Sequence, residues 1–250
     1  MTRRERVKTI FSGQPADRCG FWLGNPHHET WPILFDHCGA RDAAGVRRYF
    51  GDDFTWFWAG DYRHPDGKPE FDFRPASHAH CAEGVFADCE SVAEVDAFPW
   101  PNPDYLDFSQ ALAALRAAGD AYRAGGMWAP FFHIVAAFFG MENYFVKMYT
   151  DPEVVEAVTA RICEYYLAGN ARFFAQAGEL LDGYFFGNDF GTQLDLFIHP
   201  EMFDRFILPW FRRFTEQAHG FGCQVILHSC GSVHKVIDRL IDAGVDALHP

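Results

Sequence analysis

His228 and Cys230 are the two residues of this chain whose types and spacing are best suited to chemistry. They end the run Gln224-Val-Ile-Leu-His-Ser-Cys-Gly-Ser232, which reads as a short buried strand turning away at Gly231. Side chains two apart on a strand share a face, so an imidazole and a thiol leave the strand end together. A neutral imidazole nitrogen and a thiolate sulfur are two of the donors that zinc takes. A core histidine beside a buried cysteine would show the same spacing, so the pair needs a third donor and an opening to solvent. Cys223 cannot be that donor, because five residues of strand put it roughly 17 Å from His228. A zinc–sulfur bond spans about 2.3 Å.

Other polar groups fall at the same predicted rim. Asp189, in the loop Gly187-Asn-Asp-Phe-Gly191, can ligate a metal, orient His228, or merely cap its loop. His249 ends the last predicted strand. His27, His28 and Glu29 follow the first one, where His27 and His28 are candidate substrate contacts. Phe190, with Phe21, Trp22, Trp31 and Phe186, is a candidate apolar wall that excludes water from a substrate. His133 and Glu142 flank a further strand as pocket candidates. In His78-Ala-His-Cys81, alternation sets His78 and His80 on one face, which an exposed hairpin explains as well as a metal does.

Composition narrows the classes. The 250 residues are 49% hydrophobic with 27 phenylalanines, enough for one large core. The net charge of −13 and the absence of a basic stripe argue against nucleic acid or an anionic membrane as partner. No apolar run reaches the ~18 residues of a membrane-spanning helix. The start, Met-Thr-Arg-Arg-Glu-Arg, lacks the apolar core of a secretion signal. Seven cysteines without a CxxC pair suit reduced thiols, so a cytoplasmic location is expected.

Periodicity supplies the elements that must carry these groups. Helices are expected over 2–12, 30–50 (broken at Pro32 and Gly39), 105–123, 138–149, from Pro152 to Gly178 with Asp151 as cap, from Pro200 with a kink at Pro209, and over 233–243. Strands are expected near 21, 55, 129, 184, 226 and 247. Residues 61–90 read as a hairpin-like excursion, and Pro99–Pro103 as a stiff connector. Alternating strands and helices with short connections imply a parallel sheet, and repeated right-handed crossovers imply a TIM (β/α) barrel. A closed barrel has eight strands. The expectation is one domain over 1–250: a barrel truncated at its C-terminal end.

The order of motifs resembles the uroporphyrinogen decarboxylase superfamily over nearly the whole chain. The motifs are Arg4-Glu-Arg-Val with Gly13-Gln-Pro-Ala-Asp-Arg18, Asp96-Ala-Phe-Pro-Trp-Pro-Asn-Pro-Asp104, Asp151-Pro-Glu153 and Gly187-Asn-Asp-Phe-Gly191. His199-Pro-Glu-Met-Phe through Leu208-Pro-Trp210, Leu227-His-Ser-Cys-Gly231 and Gly244-Val-Asp-Ala-Leu248 follow in order. The resemblance implies a TIM barrel and one of two chemistries. Porphyrin decarboxylases carry an arginine-rich loop after the first strand, since guanidinium pairs with carboxylates. Here Leu23–Trp31 holds neither Arg nor Lys. The other branch moves a methyl group between a corrinoid protein and a thiol, with zinc on a His-x-Cys pair and a later cysteine. In that reading His228 and Cys230 are metal ligands, and the cobalamin arrives on a partner protein. Two alternatives stay open. One is a metal-independent decarboxylase or lyase of a small carboxylic acid, with Asp189 as acid or base and His228 as hydrogen-bond donor. The other is a catalytically silent truncated barrel.

Overall fold

The computed structural model describes residues 1–72 and 84–250. In chain order it contains α1 (Arg3–Phe11), α2 (Thr30–Cys38), α3 (Ala43–Phe50), β1 (Phe54–Trp58), β2 (Asp61–Tyr62), α4 (Val92–Ala97), β3 (Leu106–Asp107), α5 (Ser109–Ala117) and β4 (Tyr122–Gly126). There follow α6 (Phe131–Phe139), α7 (Met141–Thr150), α8 (Pro152–Ala177), β5 (Gly183–Gly187), α9 (Pro200–Phe206), α10 (Leu208–Gly220), β6 (Gln224–His228), α11 (Ile237–Asp242) and β7 (Ala247–His249). The five long-range strands form one parallel sheet in the order β1-β4-β5-β6-β7. Each new strand joins beside the previous one, as in the wall of a (β/α) barrel. Among the described residues the sheet does not close.

Alternation along the strands sorts side chains onto two cores. Tyr184 and Phe186 of β5, with Val225 and Leu227 of β6, enter the large outer core under the helices. Phe54, Tyr122, Ala124, Phe185 and Ile226 point the other way and form an inner core with Val7 of α1. All five residues of β5 are buried, as both faces of a covered parallel strand should be.

An aspartate before a strand fixes register at the strand starts. The Asp182 carboxylate accepts the N–H of Arg123, Asp246 that of Val225, and Asp53 that of Phe21. Helix α1 is built to seat on this end. Thr2 and Glu5 form a capping box at its N-terminus. Its basic residues then meet the acids: Arg3 pairs with Asp120, Arg6 with Asp53, and Arg4 and Lys8 with Asp182.

Several expectations need correction. Phe21–Leu23 is no strand. It joins Asp53 at both ends of one residue, and its Trp22 ring turns inward against Phe54, Phe185 and His249. Pro32 does not break a helix but sits in the first turn of α2, where its missing N–H costs nothing. The helix expected over 105–123 spans only α5, and the strand expected near 129 lies earlier, at β4. A Cβ on Gly126, the last residue of β4, would come within 2.5 Å of the Tyr184 ring, so glycine there admits an aromatic neighbour. Ala129, at φ 47°, makes the turn into α6.

Asp151 holds the N-cap position of α8, but its side chain makes no capping bond. Its carboxylate instead accepts from the Thr150 hydroxyl at 2.6 Å and from Lys147 at 3.3 Å. Pro209 marks a break, with α9 ending at Phe206 and α10 starting at Leu208. At the start of the expected excursion, β2 pairs antiparallel with β3 far downstream. His78, His80 and Cys81 lie outside the described residues. Among the described residues no helix is long and apolar enough to cross a membrane.

Candidate metal centre

Strands β5 and β6 run side by side with Gly187 level with His228. Their exit loops therefore meet at one rim and are stitched together. Cys230 N–H donates to Asp189 Oδ1 at 2.8 Å, Phe190 N–H to Ser229 Oγ at 3.2 Å, and Ser232 N–H to the Thr192 carbonyl at 2.7 Å. Gly231, at φ 81°, is required for this seam, because a Cβ there would sit 2.1 Å from the Gly191 carbonyl oxygen. Beneath it, buried Asn188 locks the loop to its neighbour. It accepts from Phe132 N–H at 2.9 Å and donates to the Ala129 carbonyl at 3.0 Å.

The seam brings three donors together. Cys230 Sγ lies 3.4 Å from His228 Nε2, which lies 3.5 Å from Asp189 Oδ1. One ligand atom from each of the three residues falls within 4.8 Å of the others. His228 and Asp189 are half-buried, while Cys230 is exposed. The site thus has both walls and an opening.

The state of His228 follows from its other nitrogen. Nδ1 lies 3.1 Å from the His249 carbonyl oxygen, which can only accept. A proton on Nδ1 would satisfy that carbonyl and turn the Nε2 lone pair toward Asp189 and Cys230. The Trp128 ring stacks on His228 with centroids 5.9 Å apart. His133 Nε2 accepts the Asp189 N–H at 3.0 Å, so this histidine holds the backbone of the acid. Partial burial and then the negative charge of Asp189 push the Cys230 thiol above its ordinary value.

The remaining candidates lie elsewhere. His27 is exposed, and its contacts are with His28, at a ring-centroid distance of 4.0 Å, and Glu29, at 3.6 Å. Phe190 does not face a substrate. Its ring is wholly buried against Phe132, Phe203 and Phe211, because the residue after Asp189 points into the outer core. Phe186 is buried there too. The strand expected near 129 puts Trp128 in mid-strand, whereas β4 ends at Gly126 and leaves Trp128 two residues beyond it, at the rim.

A family model described as uroporphyrinogen decarboxylase (URO-D) matches residues 71–250. The chain belongs to this family. The family fold is a TIM barrel, and the parallel five-stranded sheet is its wall. Among solved structures, a methyltransferase from Methanosarcina mazei superposes with a TM-score of 0.58 at 13% identity, over 99% of this chain and 75% of that one. At that identity the likeness is one of fold. No curated protein matches the chain.

The donor set of this URO-D member suits a metal ion. Bonds of about 2.0–2.3 Å at tetrahedral angles set neighbouring ligand atoms roughly 3.3–3.7 Å apart. The sulfur–nitrogen and nitrogen–oxygen separations of 3.4 and 3.5 Å fall in that range. One soft sulfur, one imidazole and one carboxylate are a zinc-like set, and three protein ligands would leave a fourth position open.

Proposed function

We propose that this chain is a zinc-dependent methyltransferase that moves a methyl group between a corrinoid protein and a thiol. The observation that carries the reading is the convergence of Asp189, His228 and Cys230 at the ends of β5 and β6. The M. mazei neighbour supports it as a methyltransferase of the same fold. The loop Leu23–Trp31, free of Arg and Lys, weighs against a polycarboxylate substrate.

His228, Cys230 and Asp189 would hold the ion. When bound, zinc supplies positive charge that lets a substrate thiol lose its proton near neutral pH. The protein's own groups set the stage for that event. The His249 carbonyl would accept a hydrogen bond from His228 Nδ1, which leaves the Nε2 lone pair for the ion. Asp189 anchors the Cys230 backbone and adds a negative charge that a cation would balance. Trp128 covers the His228 ring and keeps water from that side. The corrinoid would arrive on a partner protein and approach through the open side, where Cys230 is exposed.

The test is metal content together with methyl transfer. About one zinc per chain is expected, lost in His228→Ala and Cys230→Ser, along with transfer from methylcobalamin to an added thiol. Protein that holds no zinc and takes none up would turn the assignment toward a metal-independent lyase with Asp189 as acid or base.

A further inference from the structure

A second cleft lies beside the triad and has a different chemistry. Trp58 ends β1 and Trp128 follows β4, so both stand at the same strand-end rim. With Tyr62, Glu70, Phe71 and Tyr166 they line a cavity of about 550 Å³. That volume suits a small organic ligand. Trp128 is the shared wall, since it lines this cleft and also stacks on His228. We propose that this cleft binds a small organic cation of the alkylammonium class.

The lining carries the argument. Aromatic walls alone would accept any apolar ligand, but here they surround the Glu70 carboxyl, and Asp61 adds a second carboxylate to the lining. Glu70 Oε1 accepts a hydrogen bond from the Tyr165 hydroxyl at 2.7 Å. Tyr165 is itself packed edge-on against Phe71, at 5.5 Å, and against Tyr62, at 6.4 Å. The carboxyl is thus held in place by a neutral donor among rings. Burial raises its pKa, which is the cost of keeping a negative charge in apolar surroundings. A cation in the cleft would offset that cost directly.

The rings add to the same preference. The faces of Trp and Tyr attract a positive charge within about 6 Å of the ring centre. An alkylammonium ion spreads its charge over methyl surface and gives up little hydration on entering. An anion would meet Glu70 and a chain of net charge −13. A neutral apolar ligand of equal size would gain the walls but not the charge. This inference does not depend on zinc at the triad.

The experiment uses choline and its uncharged carbon isostere 3,3-dimethyl-1-butanol with the full chain. Trp58 and Trp128 report binding through fluorescence, and calorimetry gives the affinity. Choline is expected to saturate, with the isostere at least roughly tenfold weaker. Glu70→Gln should lower choline affinity by roughly tenfold and leave the isostere unchanged. Trp58→Leu removes a ring that is 56% exposed, and it should weaken choline selectively. Choline that fails to saturate in the millimolar range would overturn the proposal. So would equal affinity for the two probes, or an unchanged choline affinity in a Glu70→Gln protein of normal melting temperature. Zinc content is measured in the same samples. Zinc-loaded protein that ignores choline sinks this proposal alone, and zinc-free protein that binds choline sinks only the metal reading.

Discussion

The imidazoles of His228 and His249 meet Nδ1 to Nδ1 at 2.8 Å, from paired positions of β6 and β7. His249 also offers its backbone carbonyl to the same nitrogen. The ring of one strand is therefore oriented by the next. The side chain of His249 is a positioning group, and its loss should loosen His228 without removing a ligand. His249→Ala is expected to weaken zinc affinity by roughly 10–100-fold, as outer partners of ligating histidines do. Competition with a chelator measures this directly. A zinc affinity equal to wild type would show that the carbonyl alone sets the ring.

Thiol reactivity separates Cys230 from the structural cysteines. Burial pushes the Cys223 thiol up to about 12 and raises Cys163 and Cys89 as well. Those three should resist alkylation at about pH 8 until the chain unfolds. Cys19 and Cys230 are exposed and should react. In metal-stripped protein, Asp189→Asn removes a negative charge next to Cys230 and should speed its alkylation several-fold. Added zinc should protect Cys230 alone. Mass spectrometry of each cysteine gives the rates, and a slower Cys230 in Asp189→Asn would contradict the electrostatic account.

The convergence of His228 and Cys230 was legible because a strand has a fixed period of two. Asp189 was legible too, because short crossovers place successive strand ends at one rim. What could not be read were contacts made by shape. Gly126 and Gly187 end β4 and β5, and a Cβ on Gly187 would meet the Trp128 ring at 2.2 Å. These glycines admit rings that ordinary strand propensity does not foresee. Phe190 looked like a wall of the site, but one residue of register turns a side chain to the opposite face. Phe21–Leu23 has strand composition without a ladder, and its role is to supply Trp22 to the inner core.

Asp53 ties together several segments at the strand-start end of the fold. Its carboxylate is wholly buried and accepts from Arg6 and Arg18, each at 2.7 Å, and from Phe21 N–H at 3.0 Å. Arg6 is itself only 6% exposed. Asp53→Asn would leave that guanidinium short of a counter-charge and free the segment carrying Trp22. A loss of about 3–5 kcal/mol is expected, the usual cost of breaking a buried pair from one side. Urea unfolding at constant m-value measures it. A loss below about 1 kcal/mol would mean that Asp17 alone satisfies Arg6.

Asp17 governs how the same end responds to acid. A hydrogen bond from Arg6, and then one from the N-terminal amine, hold its carboxyl well below the usual carboxylate range. Asp120 is lowered likewise, by Arg3. A depressed carboxyl stabilises the fold above its unfolded pKa of about 4, and that contribution disappears as pH falls toward the folded value. The melting temperature should therefore stay level from about pH 8 to 5 and drop below about pH 4. Asp17→Asn mimics the protonated acid. It should melt below wild type at neutral pH, and the gap should narrow below about pH 4 as the unfolded wild-type carboxyl gains its proton. Calorimetric melts over that series are the check, and a gap of constant size would assign the defect to packing rather than to charge.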